Sequence, residues 1–573
     1  MKKLLLVGAI VAIGAVAGTY VYQQQNTTSA YNVLDYIPAD TAIFSASLEP
    51  FPIKNYIASA PKVANQQNFD ELVDAANPGI NFALSLLNTY QSSLGDGDKL
   101  IKTFGLADDI RAYVYTLGLQ PVLKIEIANE QAIWDLLDKT ELETQFQHQK
   151  GTLRGLNYRR YAITDETDPT KLELIIAINH GLLTITVNSH LNEESHLAMA
   201  LGLDKSDKSL ANTPIIDDII KNHHFKKEGI AFINHIELIK GLTTKNANLL
   251  AKQITALENE LGESTDLSQI RNEQCATEFS LIAQNWPQTV AGYTDLNITA
   301  KESNISTSVI VESKNQTILN ALSLLRGFIP NYVNDLKNNV LAVGFGLDIN
   351  QLSSSLNNIW SDLQTPNYQC QPLAQIQSSI KQSGDSIAMV GMSASMANGV
   401  QGVSFGLLDY TMSNSNNEPK LDSLDALLTL SAENPALLFN TVKMFLPELQ
   451  QITLTPEGEV VELSHILPIP KALNIAPKLA IKGKHLVIYN GELGAKAAEA
   501  LSNEELIKNG MLNFSFDFKK MMAPVITTAE LTGETIPEEM MFLSEYDTRV
   551  SMSMDINQQG LIFNSSINNK ASK

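Results

Sequence analysis

Apolar and polar positions in this chain alternate with period two over short runs and with helical spacing over longer ones, and the succession of these runs occurs twice. The segment TAIFSASLEPFPIKNYI from Thr41 and the segment VLAVGFGLDINQLSSSL from Val340 both read as a strand entering a helix. PVLKIEIANEQAIWDLLDK and ALLTLSAENPALLFNTVKM follow as a strand, an Asn junction and a helix. Asn129 and Asn434 stand where a side-chain oxygen can accept from the free N–H groups of a first helical turn, and Pro435 suits the first helical position. LELIIAINHGLLTITVN and PKLAIKGKHLVIYNG then predict paired strands around a polar turn. Each series continues with an Ala- and Glu-rich helix, a strand running into another helix, and a closing hairpin.

Matched order over such lengths points to duplication of a whole lobe rather than to a solenoid, whose repeats run to about 20–50 residues. The expected organisation is residues 1–30 as a membrane anchor or signal peptide with a polar linker, 31–333 as a first lobe and 334–573 as a second. Strand pairs joined by short turns between helices predict the α+β class, with two tandem related lobes after an N-terminal apolar helix. Each lobe is expected to hold an antiparallel or mixed sheet with helices packed on one face. A doubly wound parallel fold is disfavoured, because no G-x-G-x-x-G and no regular βαβ alternation occurs.

The N-terminus suggests an address. Lys2 and Lys3 precede the largely apolar run Leu4–Tyr22, after which QQQNTTSA is polar. About 20 apolar residues can span a bilayer, with the basic flank in the cytoplasm. The expected location is the bacterial inner membrane, single-pass, with the body in the periplasm. The alternative is release after cleavage near Ala17, where Ala15-Val16-Ala17 has the small-x-small form. Gly14 and Gly18 also have the spacing that lets two helices approach. The net charge of −21 argues against nucleic acid as a partner, since phosphate binding requires concentrated Lys and Arg.

Two cysteines, Cys275 and Cys370, are candidates for a disulfide between the lobes, with free thiols or redox chemistry as the alternatives. Several fragments resemble active sites without completing one. Gly402-Val403-Ser404-Phe405-Gly406 matches the hydrolase elbow but reads as a strand running into a loop, where the serine would lie flat in a sheet. Asp96 and Asp98 begin like a calcium loop that Leu100 interrupts. His190 and His196 flank Glu193 but are six apart, and His223 and His224 are expected to be exposed. Gly483-Lys484 is followed by His485 where a phosphate loop requires a hydroxyl. No catalytic, cofactor-binding or metal-ligating residue is assigned, and no cofactor is expected.

Twelve of the fourteen methionines fall after residue 380. They fit an ordinary core, an adaptable apolar groove or soft ligation of Cu(I). Asp35-Tyr36-Ile37-Pro38-Ala39-Asp40-Thr41, with Ser209-Leu210-Ala211-Asn212-Thr213-Pro214 ahead of a strand, resembles a family of exported bacterial envelope proteins with no assigned chemistry. That resemblance implies an exported N-terminus and no activity. The functional expectation is a binding or scaffolding protein without catalysis, whose partner is an envelope protein or lipid and whose N-terminal helix meets the membrane. A carrier or chaperone for an apolar ligand, either a lipid or an unfolded envelope protein, is the alternative. A hydrolase is the third reading, and oligomeric state is left open.

Overall fold

A computed structural model describes residues 32–60, 78–164, 168–261, 266–335, 337–382, 384–415, 418–456, 458–466, 475–532 and 547–570. The apolar N-terminal run, with its anchor, cleavage and Gly14/Gly18 readings, lies outside them, as do Met540 and Met541. Among the described residues no helix is long and apolar enough to cross a membrane. The chain forms two compact units. The first comprises residues up to Glu312 together with Gln369–Pro372, and the second comprises Ser313–Tyr368 and Leu373–Lys573.

Among the described residues ten strands belong to the first unit: β1 (Ile43–Ala46), β2 (Ala112–Leu117), β3 (Gln120–Glu126), β4 (Gln149–Leu153), β5 (Leu156–Ala162), β6 (Glu173–Asn179), β7 (Leu182–Asn188), β8 (Ile230–Asn234), β9 (Gln288–Ile298) and β10 (Glu302–Glu312). Their hydrogen-bonded order is β4-β5-β6-β7-β3-β2-β1-β8-β9-β10. The second unit has β11 (Leu341–Gly346), β12 (Val400–Ser415), β13 (Glu418–Ala432), β14 (Val461–Glu462), β15 (Lys478–Lys482), β16 (His485–Asn490), β17 (Leu512–Asp517), β18 (Asp547–Ile556) and β19 (Gly560–Lys570). Their order is β14-β15-β16-β13-β12-β11-β17-β18-β19. Set β4 aside and the two orders are the same, strand for strand.

The expected fold needs correction on several points. Among the described residues nineteen strands are linked in antiparallel ladders, where antiparallel or mixed sheets were expected. Each pairing given above is antiparallel, so no mixed sheet occurs among the described residues. Short turns such as Gly118-Leu119, His180-Gly181 and Gly483-Lys484 return the chain directly, whereas parallel pairing needs a long crossover.

Helices also cover both faces of the sheet, not one. In β6, Leu174 and Ile176 join a cluster with Phe82, Ile133 and Leu137, while Ile175 and Ala177 pack against Leu197, Ala198 and Leu201 at the helix Glu194–Ala200. Consecutive apolar residues make both faces of a strand apolar, and both then need cover. The second unit repeats this. Leu479, Ile481 and Leu486 pack with Phe439 of the helix Pro435–Phe445, and Ala480 and Val487 pack with Ala498 of the helix Gly491–Ala500.

Candidate functional site

Four helices of the first unit frame the candidate site: α1 (Ile53–Ser59), α2 (Pro78–Gln91), α3 (Gly97–Phe104) and α4 (Glu130–Thr144). α3 begins at Asp96, whose carboxylate accepts from the backbone N–H of Lys99 at 3.0 Å, and it ends at Gly105 with φ +60°. A Cβ on Gly105 would come within 2.2 Å of the Asn129 carbonyl, so glycine is required where this turn meets the start of α4. α4 begins at Asn129, which accepts from Gln131 N at 3.1 Å and Ala132 N at 3.4 Å. Ile133, Leu137, Thr140 and Glu141 then recur at helical spacing and turn inward.

Between these helices and the sheet lies an apolar cavity of about 180 Å³. Period-two alternation builds its floor: Leu123 and Ile125 of β3, Leu174 and Ile176 of β6, and Leu183 and Ile185 of β7 all line it. Ile185 lies opposite both Leu123 and Ile176, so these positions share one face. Phe82, Leu86 and Tyr90 of α2, Phe104 of α3, and Leu136 and Leu137 of α4 form the roof, with Phe146 beside them. Among the described residues no lining side chain is charged, and the Tyr90 hydroxyl is the one polar side-chain group in the lining. Burial raises the Tyr90 phenol to about 12, so it stays protonated.

Beside the cavity lies a cluster of charges that satisfies itself. The Glu141 carboxylate, almost fully buried, accepts from the Tyr161 hydroxyl at 2.7 Å and Arg159 Nη1 at 3.0 Å, and it meets His148 Nδ1 at 2.7 Å. Arg159 also pairs with Asp138 at 2.6 Å and lies 4.7 Å over the Trp134 ring. Burial, and then the hydrogen bond to Glu141, push the Tyr161 phenol up. Tyr161 packs on Phe82 and Phe146, both of which wall the cavity. With its cation committed to two carboxylates, this cluster fixes the wall and leaves no unpaired charge to anchor a ligand.

The opposite sheet face carries Lys124, which is fully buried and donates to Thr184 Oγ1 at 2.8 Å. Desolvation lowers its ammonium to about 7.

Cys275 and Cys370 are bonded, with an S–S distance of 2.02 Å. Because Gln369–Pro372 belongs to the first unit, the bond closes within that unit. Glu278 secures the same segment by accepting from Gln369 N and Cys370 N, both at 2.9 Å. Burial works against the Glu278 charge, but these donors and Gln274 outweigh it and hold the carboxyl below its ordinary value. A disulfide of this kind persists in oxidising compartments and is compatible with export.

The other sequence candidates are dispersed. Ser404 is buried in mid-strand opposite Gly344 of β11, not on a turn. Asp96 is a helix cap, and Asp98 pairs with Lys54 at 2.8 Å. His190 meets the Thr170 carbonyl at 3.1 Å, and His196 is held below the ordinary imidazole value, first by burial. His223 is a correction: its side chain is buried rather than exposed, meeting Glu312 at 2.7 Å, because the strand end at Glu312 supplies a carboxylate that can satisfy it. His485 is buried between the Ser431 hydroxyl and the Glu504 carbonyl, and desolvation lowers it to about 4. Among the described residues no group of three His, Cys, Asp or Glu is placed to hold a metal ion.

Among the described methionines, Met389, Met392, Met396, Met444 and Met552 are exposed, and Met522 is buried. The cavity instead lies in the methionine-poor first unit. Its trace in the sequence is the doubly apolar pair of strands LELIIAIN and LLTITVN, which the roof helices must cover. No protein-family model matches this chain, and neither a curated protein nor a solved structure matches it.

Proposed function

We propose that this protein is a non-enzymatic carrier in the bacterial envelope that holds an apolar ligand, an alkyl or acyl chain, in the first-unit cavity. The observation that carries the reading is a cavity of about 180 Å³ lined by apolar side chains. At roughly 24 cal/mol per Å³, an empty space of that size costs on the order of 4 kcal/mol, a large share of a domain's stability. A ligand that fills it removes that cost without needing a polar contact. Scaffolding, the first expectation from sequence, gives way to the carrier because a concave apolar site is now in view. The disulfide agrees with a periplasmic body, and the apolar segment Leu4–Tyr22 would tether it to the inner membrane.

Native mass spectrometry of the purified full chain tests the proposal. Apolar adducts should copurify and be displaced by added long-chain fatty acid, and Leu137→Trp, which fills the cavity, should remove those held there. Wild-type protein that carries no adduct and takes up no fatty acid would remove the carrier reading.

A further inference from the structure

The cavity of the first unit is elongated along α2. Gly79, Phe82, Ala83, Leu86 and Tyr90 recur at helical spacing and all line it, so the stripe runs about 16 Å at 1.5 Å per residue. Its two ends differ in chemistry. At one end Phe82 and Phe146 pack on Tyr161 with ring centroids 4.9 Å and 5.7 Å away, and the Tyr161 hydroxyl is committed to Glu141. At the other end stands Tyr90, whose ring centroid lies 6.5 Å from that of Phe104. Among the described residues no hydrogen bond reaches the Tyr90 hydroxyl, although burial holds the phenol in its protonated, hydrogen-donating form. A donor withdrawn from water without an acceptor is unfavourable, and an incoming carbonyl or hydroxyl oxygen would relieve it.

Charge around the Tyr90 end decides what kind of oxygen is accepted. α3, its cap and the loop after it contribute Leu100, Phe104, Leu106 and Ile110 to the lining, and the same stretch carries Asp96, Asp98, Asp108 and Asp109. Burial, and then Asp108, raise the Asp109 carboxyl, so negative charge is already disfavoured there. The neighbouring cations are engaged elsewhere. Lys54 pairs with Asp98 at 2.8 Å and with Asp108 at 3.3 Å, Lys99 donates to the Ser92 carbonyl at 2.6 Å, and Arg111 pairs with Glu126 at 3.0 Å, while Lys102 is exposed. A carboxylate drawn into the cavity would lose its water and gain no counter-ion, which is strongly unfavourable.

We infer that the cavity selects uncharged long-chain lipids, an acyl ester, amide or alcohol, with the head-group oxygen on the Tyr90 hydroxyl and the hydrocarbon along α2 toward Phe82. The inference rests on the carrier reading and adds the class and direction of the ligand. An apolar lining by itself accepts any alkyl chain. The free donor at one end, among carboxylates, makes the choice.

Calorimetric titration of the full chain with methyl dodecanoate, dodecanol and dodecanoate at neutral pH is the test. The ester and the alcohol should bind at least about tenfold more tightly than the carboxylate of the same length. Tyr90→Phe keeps the ring and removes the hydroxyl. It should weaken ester and alcohol about fivefold, the effect of one neutral hydrogen bond, with circular dichroism unchanged. Dodecanoate bound as tightly as the ester would overturn the inference and leave a carrier in place, as would a Tyr90→Phe variant with undiminished ester affinity. Ester binding that survives Leu137→Trp would put the ligand outside this cavity and overturn it too. Absence of binding by all three ligands would instead sink the carrier reading, and this inference with it.

Discussion

The two units share one strand order and dispose of their apolar surface in opposite ways. In the first, the apolar residues gather over β3, β7 and β6, where helices roof them and leave a cavity. The centre of its sheet carries Ser45, Ala231 and Ala291 in one row on that face. In the second, the corresponding strands β11, β17 and β18 carry Val343, Phe514 and Met552, and Met552 is exposed. Connectivity alone therefore does not decide where a ligand can sit. The choice between small and large side chains on one face does. Descent of both units from one ancestral copy, the reading taken from the sequence, would leave this combination of common order and divergent faces.

The comparison can be broken most sharply at the covalent link in the first unit. The Cys275–Cys370 bond spans 95 residues, and the chain-entropy relation assigns a loop of that length about 4–5 kcal/mol. Cys275→Ser with Cys370→Ser is expected to lower first-unit stability by about that amount in urea unfolding; equal midpoints for variant and wild type would refute it. Next in size is Phe82→Ala, which enlarges an existing cavity and should cost about 3 kcal/mol. A loss below about 1 kcal/mol would mean that the roof helix collapses freely onto the floor.

Acid and base should separate the units. Lys124 is lowered to about 7 in the fold against an ordinary 10.5, so the unfolded chain binds more protons between those values. First-unit stability should therefore be highest above pH 10.5 and fall as pH drops toward 7, and Lys124→Met should flatten that slope and stabilise the unit near neutrality. His485 is lowered to about 4 from 6.5, so second-unit stability should fall as pH drops from 6.5 toward 4. The histidine contribution is about 3 kcal/mol by linkage. Tyrosine and tryptophan fluorescence followed in urea at several pH values checks both windows; coincident windows would break the distinction. The smallest effect belongs to the exposed Phe345, where Phe345→Ser should change stability by no more than about 0.5 kcal/mol. A larger loss would show Phe345 to be packed.

Much of this was legible residue by residue. Asn129 and Asn434 could be recognised as caps because capping is local, and both accept from the first turn of their helices. The strand pairs around His180-Gly181 and Gly483-Lys484 were visible as alternation broken by a turn. Cys275 and Cys370 could be paired because there were only two. Burial of His223 was not legible, since its partner Glu312 lies 89 residues away. Nor was the cavity, which needs three strands and the helices above them to meet.

The runs VGFGL, VSFGLL, NFSFD and VSMSMDI determined by themselves that one face of each strand would be large and apolar and the other small. Only the tertiary structure decided which face is covered. Period-two alternation makes two faces but names neither as the inside. That was settled where Ile329, Tyr332 and Val333 approach Gly344 and Gly406, so that a Cβ at either glycine would force a neighbouring side chain to shift.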